Sequence, residues 1–120
     1  MTSELSEQIQ LVRWLRRAKV LFCAVPNGGA RQRREAAALK MSGVEPGVPD
    51  LLIFDPPPVP PTGEAPVGVA LELKSTSKSS RVSPAQKQWL KKLEARGWLA
   101  LVAHGSVEAR AQLRQLGYPL

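Results

Sequence analysis

The chain is expected to fold as an α/β domain in which a central mixed β-sheet is flanked by helices, and three features of the sequence lead there. Short apolar runs rich in Val, Leu and Ala recur at 20–25, 51–54, 67–74 and 98–103, with Pro, Gly or polar residues at their ends. Beside them stand segments whose apolar residues recur at helical spacing. The order that results is helix, strand, helix, strand, strand, helix, strand, helix, an alternation that lays helices on both faces of one sheet. At 120 residues and 43% hydrophobic composition, positions 1–120 suit one domain with a modest core.

From residue 3 to about 19, Leu5, Ile9, Val12 and Leu15, with Leu11 alongside, give one amphipathic helix. Ser3 or Ser6 can cap it, and Glu4 and Glu7 suit its positive N-terminal end. Residues 20–25 read as the first strand, closed by Pro26. Cys23, the only cysteine, is expected there as an inert core thiol and rules out an internal disulfide. Asn27-Gly28-Gly29 turns the chain, its glycines letting the backbone approach a ligand closely, and a helix from 31 to about 41 follows with Gly43 as its C-cap. Residues 51–54 form the second strand. The proline-rich stretch 55–66 can be neither helix nor interior strand and serves as a stiff surface connector to the third strand, 67–74. Ser83-Pro84-Ala85-Gln86 then opens a helix to Gly97 with an N-cap serine, a proline at the first helical position and a capping-box glutamine. Residues 98–103 form the fourth strand and His104-Gly105 a turn. Ser106 is the expected cap of a last helix over 107–116, closed by Gly117.

Seventeen Lys and Arg against ten Asp and Glu give a net charge of +7 and a pI near 10.2, which points to a polyanionic partner, nucleic acid above all. The basic residues cluster at 13–19, 31–34, 74–81 and 87–92. The first and last clusters suit solvated helix faces, whereas the middle two fall in turns where phosphates would need them. No apolar run approaches a membrane span and the N-terminus lacks a secretory signal's order, so a cytoplasmic protein without membrane association is expected. His104 is the only histidine, which excludes His-rich metal sites, and a Gly-x4-Gly-Lys-Ser/Thr loop is absent, so no nucleotide cofactor is expected.

The stretch from Gly47 to Lys74 carries the chemistry. Asp50 stands at the mouth of one apolar run and Glu72 and Lys74 sit two apart at the end of the next, so strand alternation puts Glu72 and Lys74 on one face and Leu71 and Leu73 on the other. Two carboxylates beside an ammonium make a hard-oxygen pocket suited to Mg²⁺ or Mn²⁺, the minimum for cutting a phosphodiester. The three residues are expected in a solvent-accessible pocket rather than the core. The plainer alternative makes Asp50 a turn cap after Pro49, and Glu72 and Lys74 the solvated face of an edge strand.

Pro49-Asp50 followed by Glu72-Leu73-Lys74 resembles the PD-(D/E)XK nuclease superfamily. Pro26-Asn27-Gly28-Gly29, Gly43-Val44, 47–51, 70–74 and 83–86 fall in the order of its VRR-NUC branch, from about Glu7 to Gly117. The resemblance implies a restriction-endonuclease-like core. It also implies Mg²⁺ or Mn²⁺ held by Asp50, Glu72 and the backbone carbonyl of Leu73, with Lys74 orienting water and Gln86 reaching the pocket. Glu7 stands for the family's acidic residue on the first helix. The histidine that usually precedes Pro-Asn-Gly-Gly is Val25 here. DNA contacts are expected from Asn27, Gly28, Gly29, Arg31, Arg33 and Arg34, and from position 75 (Ser75), Lys78, Arg81 and Lys87. Stand-alone VRR-NUC proteins of this size resemble phage and bacterial enzymes that resolve four-way (Holliday) junctions, so the expectation is a structure-selective endonuclease on branched DNA in a bacterial cell or phage-infected host. Flap or end processing, or a DNA-binding module with a decayed site, are the alternatives. A junction cut on two opposed strands calls for a symmetric homodimer, for which three tryptophans and several leucines on short helices are a generous apolar supply.

Overall fold

The computed structural model describes residues 3–26, 36–77 and 79–120. The candidate contacts Asn27, Gly28, Gly29, Arg31, Arg33, Arg34 and Lys78 lie outside the described residues. Among the described residues eight elements follow one another: α1 (Glu4–Arg17), β1 (Phe22–Ala24), α2 (Ala36–Met41), β2 (Leu51–Ile53), β3 (Val69–Lys74), α3 (Pro84–Glu94), β4 (Leu99–His104) and α4 (Ser106–Gln115). The strands form one sheet in the order β1-β2-β3-β4, with β1/β2 and β2/β3 antiparallel and β3/β4 parallel. The mixed α/β sheet matches the class read from the sequence.

β3 is an interior strand and every residue of it is buried. This overturns the reading of Glu72 and Lys74 as a solvated edge. The alternation of β3 divides the molecule. Val69, Leu71 and Leu73 join Leu51 and Ile53 in a dry core with Leu11 and Leu15 of α1 and Ala109 and Leu113 of α4. Ala70, Glu72 and Lys74 point to the opposite face, over which α3 lies. A strand buried on both sides reads as an almost unbroken apolar run, and that run is interrupted here by one carboxylate and one ammonium.

Local signals explain most boundaries. The Ser3 side chain accepts from the Ser6 amide at the start of α1, and Arg16 and Arg17 fall in its last turn. Both halves of the capping box at Ser83 and Gln86 form, with Pro84 opening α3. Two expectations fail. Cys23 is exposed, because β1 is a short strand at the sheet edge. Ser106 is not a cap: the N-cap of α4 is Gly105, with φ 92° and no side-chain cap of its own, and Ser106 is the first helical residue. The orphan amide is satisfied from elsewhere in the chain, by Glu7.

The proline-rich connector is pinned at several points. Asp55 accepts from the Leu21 amide at 2.8 Å, the Val59 amide donates to the Leu116 carbonyl at 2.8 Å, and the buried Tyr118 hydroxyl donates to the Asp55 carbonyl at 2.6 Å. Burial, and then the Asp55 charge, push the Tyr118 phenol up to about 12. Helices α1 and α4 are further joined by the Arg110 guanidinium, 4.5 Å from the centre of the Trp14 ring. Trp14, Trp89 and Trp98 are all partly buried.

Gly68 precedes β3 at a point of close approach, where an added Cβ would lie 2.4 Å from the Ile53 carbonyl oxygen and 2.8 Å from the Trp98 ring. Gly68→Ala is therefore expected to destabilise the protein by about 1–3 kcal/mol, the usual range for overpacking. Gly63→Ala, which meets nothing within 4 Å, should change stability little. Urea denaturation of both variants checks the contrast.

Candidate active site

The site forms where the β2/β3 ladder ends. Leu51 pairs with Leu71 in an antiparallel register, so one step back along β2 sets Asp50 opposite Glu72. There the Asp50 side chain takes over from the backbone: its Oδ2 accepts from the Leu73 amide at 2.7 Å. The approach to Asp50 is equally constrained. Gly47 has φ 89°, and a Cβ on it would meet the Ala85 backbone at 2.7 Å, so the chain passes against the first turn of α3 only as glycine. Pro49, fully buried, then fixes the entry to β2.

Glu72 is only 1% exposed and Lys74 7%, so the expected solvent-accessible placement of these two is corrected to near-complete burial, with Glu72 alone of the two lining a recess. The recess has a volume of about 370 Å³ and is lined by Glu4, Pro46, Gly47, Asp50, Glu72, Ser83, Ala85 and Gln86. Burial foremost, then hydrogen bonding to Asp50 and its charge, push Glu72 up from its ordinary 4.5 to about 9; Lys74 opposes the shift and Glu4 adds to it. Glu72 is thus held protonated at neutral pH. One oxygen, Glu72 Oε1, is buried without a hydrogen-bond partner. Among the described residues no group of three or more His, Cys, Asp or Glu is clustered as a ligand set.

Lys74 Nζ donates to Gln86 Oε1 at 2.9 Å, and the same oxygen accepts from the Ser83 amide at 2.8 Å. Gln86 therefore performs its capping role and holds Lys74 at once. The first helix presents a different acid from the one read in the sequence. The Glu7 carboxylate turns to α4, accepting from the Ser106 amide at 2.6 Å and the Ser106 hydroxyl at 2.9 Å, and does not line the recess. Glu4, one turn earlier, does line it.

Of the remaining candidates, Arg81 and Lys87 are exposed and outside the recess lining, on the segment before α3 and in its first turn. Ser75 is part-buried, its carbonyl 3.2 Å from His104 Nδ1. The sequence reading did not single out Glu4 for the recess, because which acid of the first turn faces it is set by how α1 docks rather than by any local pattern.

A sequence model of the VRR-NUC domain matches residues 2–107. Among solved structures, one described as a VRR_NUC domain protein is similar at a TM-score of 0.76 and 26% identity, over 99% of this chain and 89% of the other. No functionally curated protein gives a significant match.

A carboxyl held protonated by the fold takes up protons on folding. With its folded value near 9 and its ordinary value 4.5, Glu72 favours the folded state fully below about pH 4.5, and that contribution is lost as pH rises towards 9. Without metal, the protein should lose stability across this window by up to about 1.4 kcal/mol per pH unit. Glu72→Gln should flatten the decline and melt above wild type at pH 8. Melting temperatures from pH 5 to 9 in EDTA check both.

Proposed function

The chain belongs to the VRR-NUC domain family, a nuclease-type fold, and from this premise we propose a metal-dependent, structure-selective endonuclease that hydrolyses phosphodiester bonds in branched DNA. The observation that carries the reading is the gathering of Asp50, Glu72 and Gln86 at one recess, with Lys74 bonded to Gln86 and the two carboxyls facing each other across the strands. A basic chain of net charge +7 supports a polyanionic substrate.

The donor set suits a hard divalent cation such as Mg²⁺ or Mn²⁺. The support is the orphaned Glu72 Oε1 beside Asp50, an oxygen that no donor among the described residues satisfies. Asp50, Glu72 and the Leu73 carbonyl would hold the ion, which when bound supplies Lewis-acid polarisation of the phosphate and a more acidic water. Lys74, anchored by Gln86, orients the attacking water and offsets charge developing on the phosphate oxygens. Asp50, fixed on the Leu73 amide, sets the position of its partner carboxyl. Glu4 adds negative charge at the rim.

Among branched substrates the reading extends to four-way junctions cut by a twofold dimer, since each chain carries one such recess and a junction presents two opposed strands. The part-buried tryptophans leave apolar surface for an interface. Sedimentation with and without junction DNA is expected to show a dimer; a monomer in both conditions would shift the reading to flap or end processing.

Cleavage of linear, flap and four-way DNA in Mg²⁺, Mn²⁺ or EDTA tests the activity itself. Glu72→Gln and Lys74→Met should each lower kcat by about 10²–10³ or more. The two acids of α1 should separate: Glu4→Gln lowers cleavage with little change in melting, whereas Glu7→Gln costs about 0.5–2 kcal/mol of stability, the range for losing a helix cap, and lowers cleavage less. An active Lys74→Met variant would sink the assignment.

A further inference from the structure

A second recess opens beside the first. Its volume is about 600 Å³ and it is lined by Glu4, Leu5, Gln8, Ala24, Val25, Pro26 and Asp50. Two of these, Glu4 and Asp50, also line the recess holding Glu72, so the two hollows share one wall. On that wall Asp50 is tied to β1 by its backbone, the Val25 amide donating to the Asp50 carbonyl at 2.9 Å.

The chemistry of this lining is selective. Among the described residues it holds two carboxylates and no Lys or Arg, while Leu5, Ala24, Val25 and Pro26 offer apolar contact and Gln8 one amide that both donates and accepts. Leu5 is 68% exposed, an apolar side chain left uncovered next to a polar site. The part of a nucleotide that suits such a hollow is the base: flat, uncharged, and edged with donors and acceptors. The volume lies within the range of small-ligand sites.

Resting on the endonuclease reading, we propose that this recess receives the nucleobase flanking the scissile phosphate, with Leu5 and Pro26 against its faces and Gln8 at its edge. A base can enter only after leaving the stack, which costs least at a branch, a flap or a single strand. Selectivity for branched DNA then originates in the α1/β1 hollow, and it needs no sequence-reading element.

The test uses a flap substrate carrying one abasic residue, moved through each position around the cut. An abasic residue at one position next to the cleaved bond is expected to lower kcat/KM about tenfold, in line with the loss of one stacked base, and elsewhere to have little effect. In the Leu5→Ala/Gln8→Ala double variant the natural substrate should suffer a similar loss and the abasic residue no further one. Melting confirms that the variant is folded. A penalty that is absent, uniform along the strand or undiminished in the double variant overturns the base recess while leaving the endonuclease standing. In EDTA, 2-aminopurine at that position should brighten when the protein binds, because it leaves the stack. Should the protein cut no DNA at all, the endonuclease reading falls, and unchanged 2-aminopurine fluorescence in EDTA would overturn the recess by itself.

Discussion

The hydrogen bond from the Leu73 amide to the Asp50 carboxylate is the constraint on which the site depends. Backbone pairing between β2 and β3 ends at Leu51 and Leu71, and a carboxylate, rather than the next carbonyl, completes the row. The same substitution fixes an acid at the end of the ladder and turns it towards Glu72. Because the pairing is antiparallel, any slip of one residue would carry Glu72 to the Leu11 and Leu15 side of the sheet. Leu71 and Leu73 would then leave the core, so the packing of the apolar face enforces the geometry of the polar one.

That polar face is held at an electrostatic cost. Glu72 lies in the centre of a wholly buried strand, opposite another acid, with one oxygen unsatisfied. Such a group stays neutral in the bare fold and ionises readily only when positive charge is brought to it. Lys74, two residues on, supplies part of that charge, but its ammonium is already bonded to Gln86. The strain is local, and it sits where a cation would relieve it.

Much of this was legible in the sequence because the signals are short in range. The alternation in Glu72-Leu73-Lys74 and the capping box at Ser83 and Gln86 are fixed within a few residues, and both appear as read. What was not legible depends on residues far apart. Ser106 looked like a cap by its position, but its amide is satisfied by Glu7, 99 residues away. Glu4 and Glu7 share the first turn of α1, and which of them faces the site is set by the docking of the helix, which no local pattern encodes. Cys23 sits in an apolar run that implied burial, yet its strand lies at the sheet edge. The burial of Glu72 and Lys74 likewise followed from β3 being interior, a matter of topology rather than composition.

The two acids of α1 nevertheless form one device. Glu7 anchors the first turn of the helix to the start of α4, and Gly105 leaves the room it needs: a Cβ there would lie 3.1 Å from the Glu7 carboxylate and 2.8 Å from Thr76. With that turn fixed, Glu4, Leu5 and Gln8 are presented together at the two recesses, on a rigid element rather than a loop. The bond that stabilises the α1/α4 contact is thereby also what holds the rim of the site in place, and the left-handed backbone of Gly105 is a condition of both.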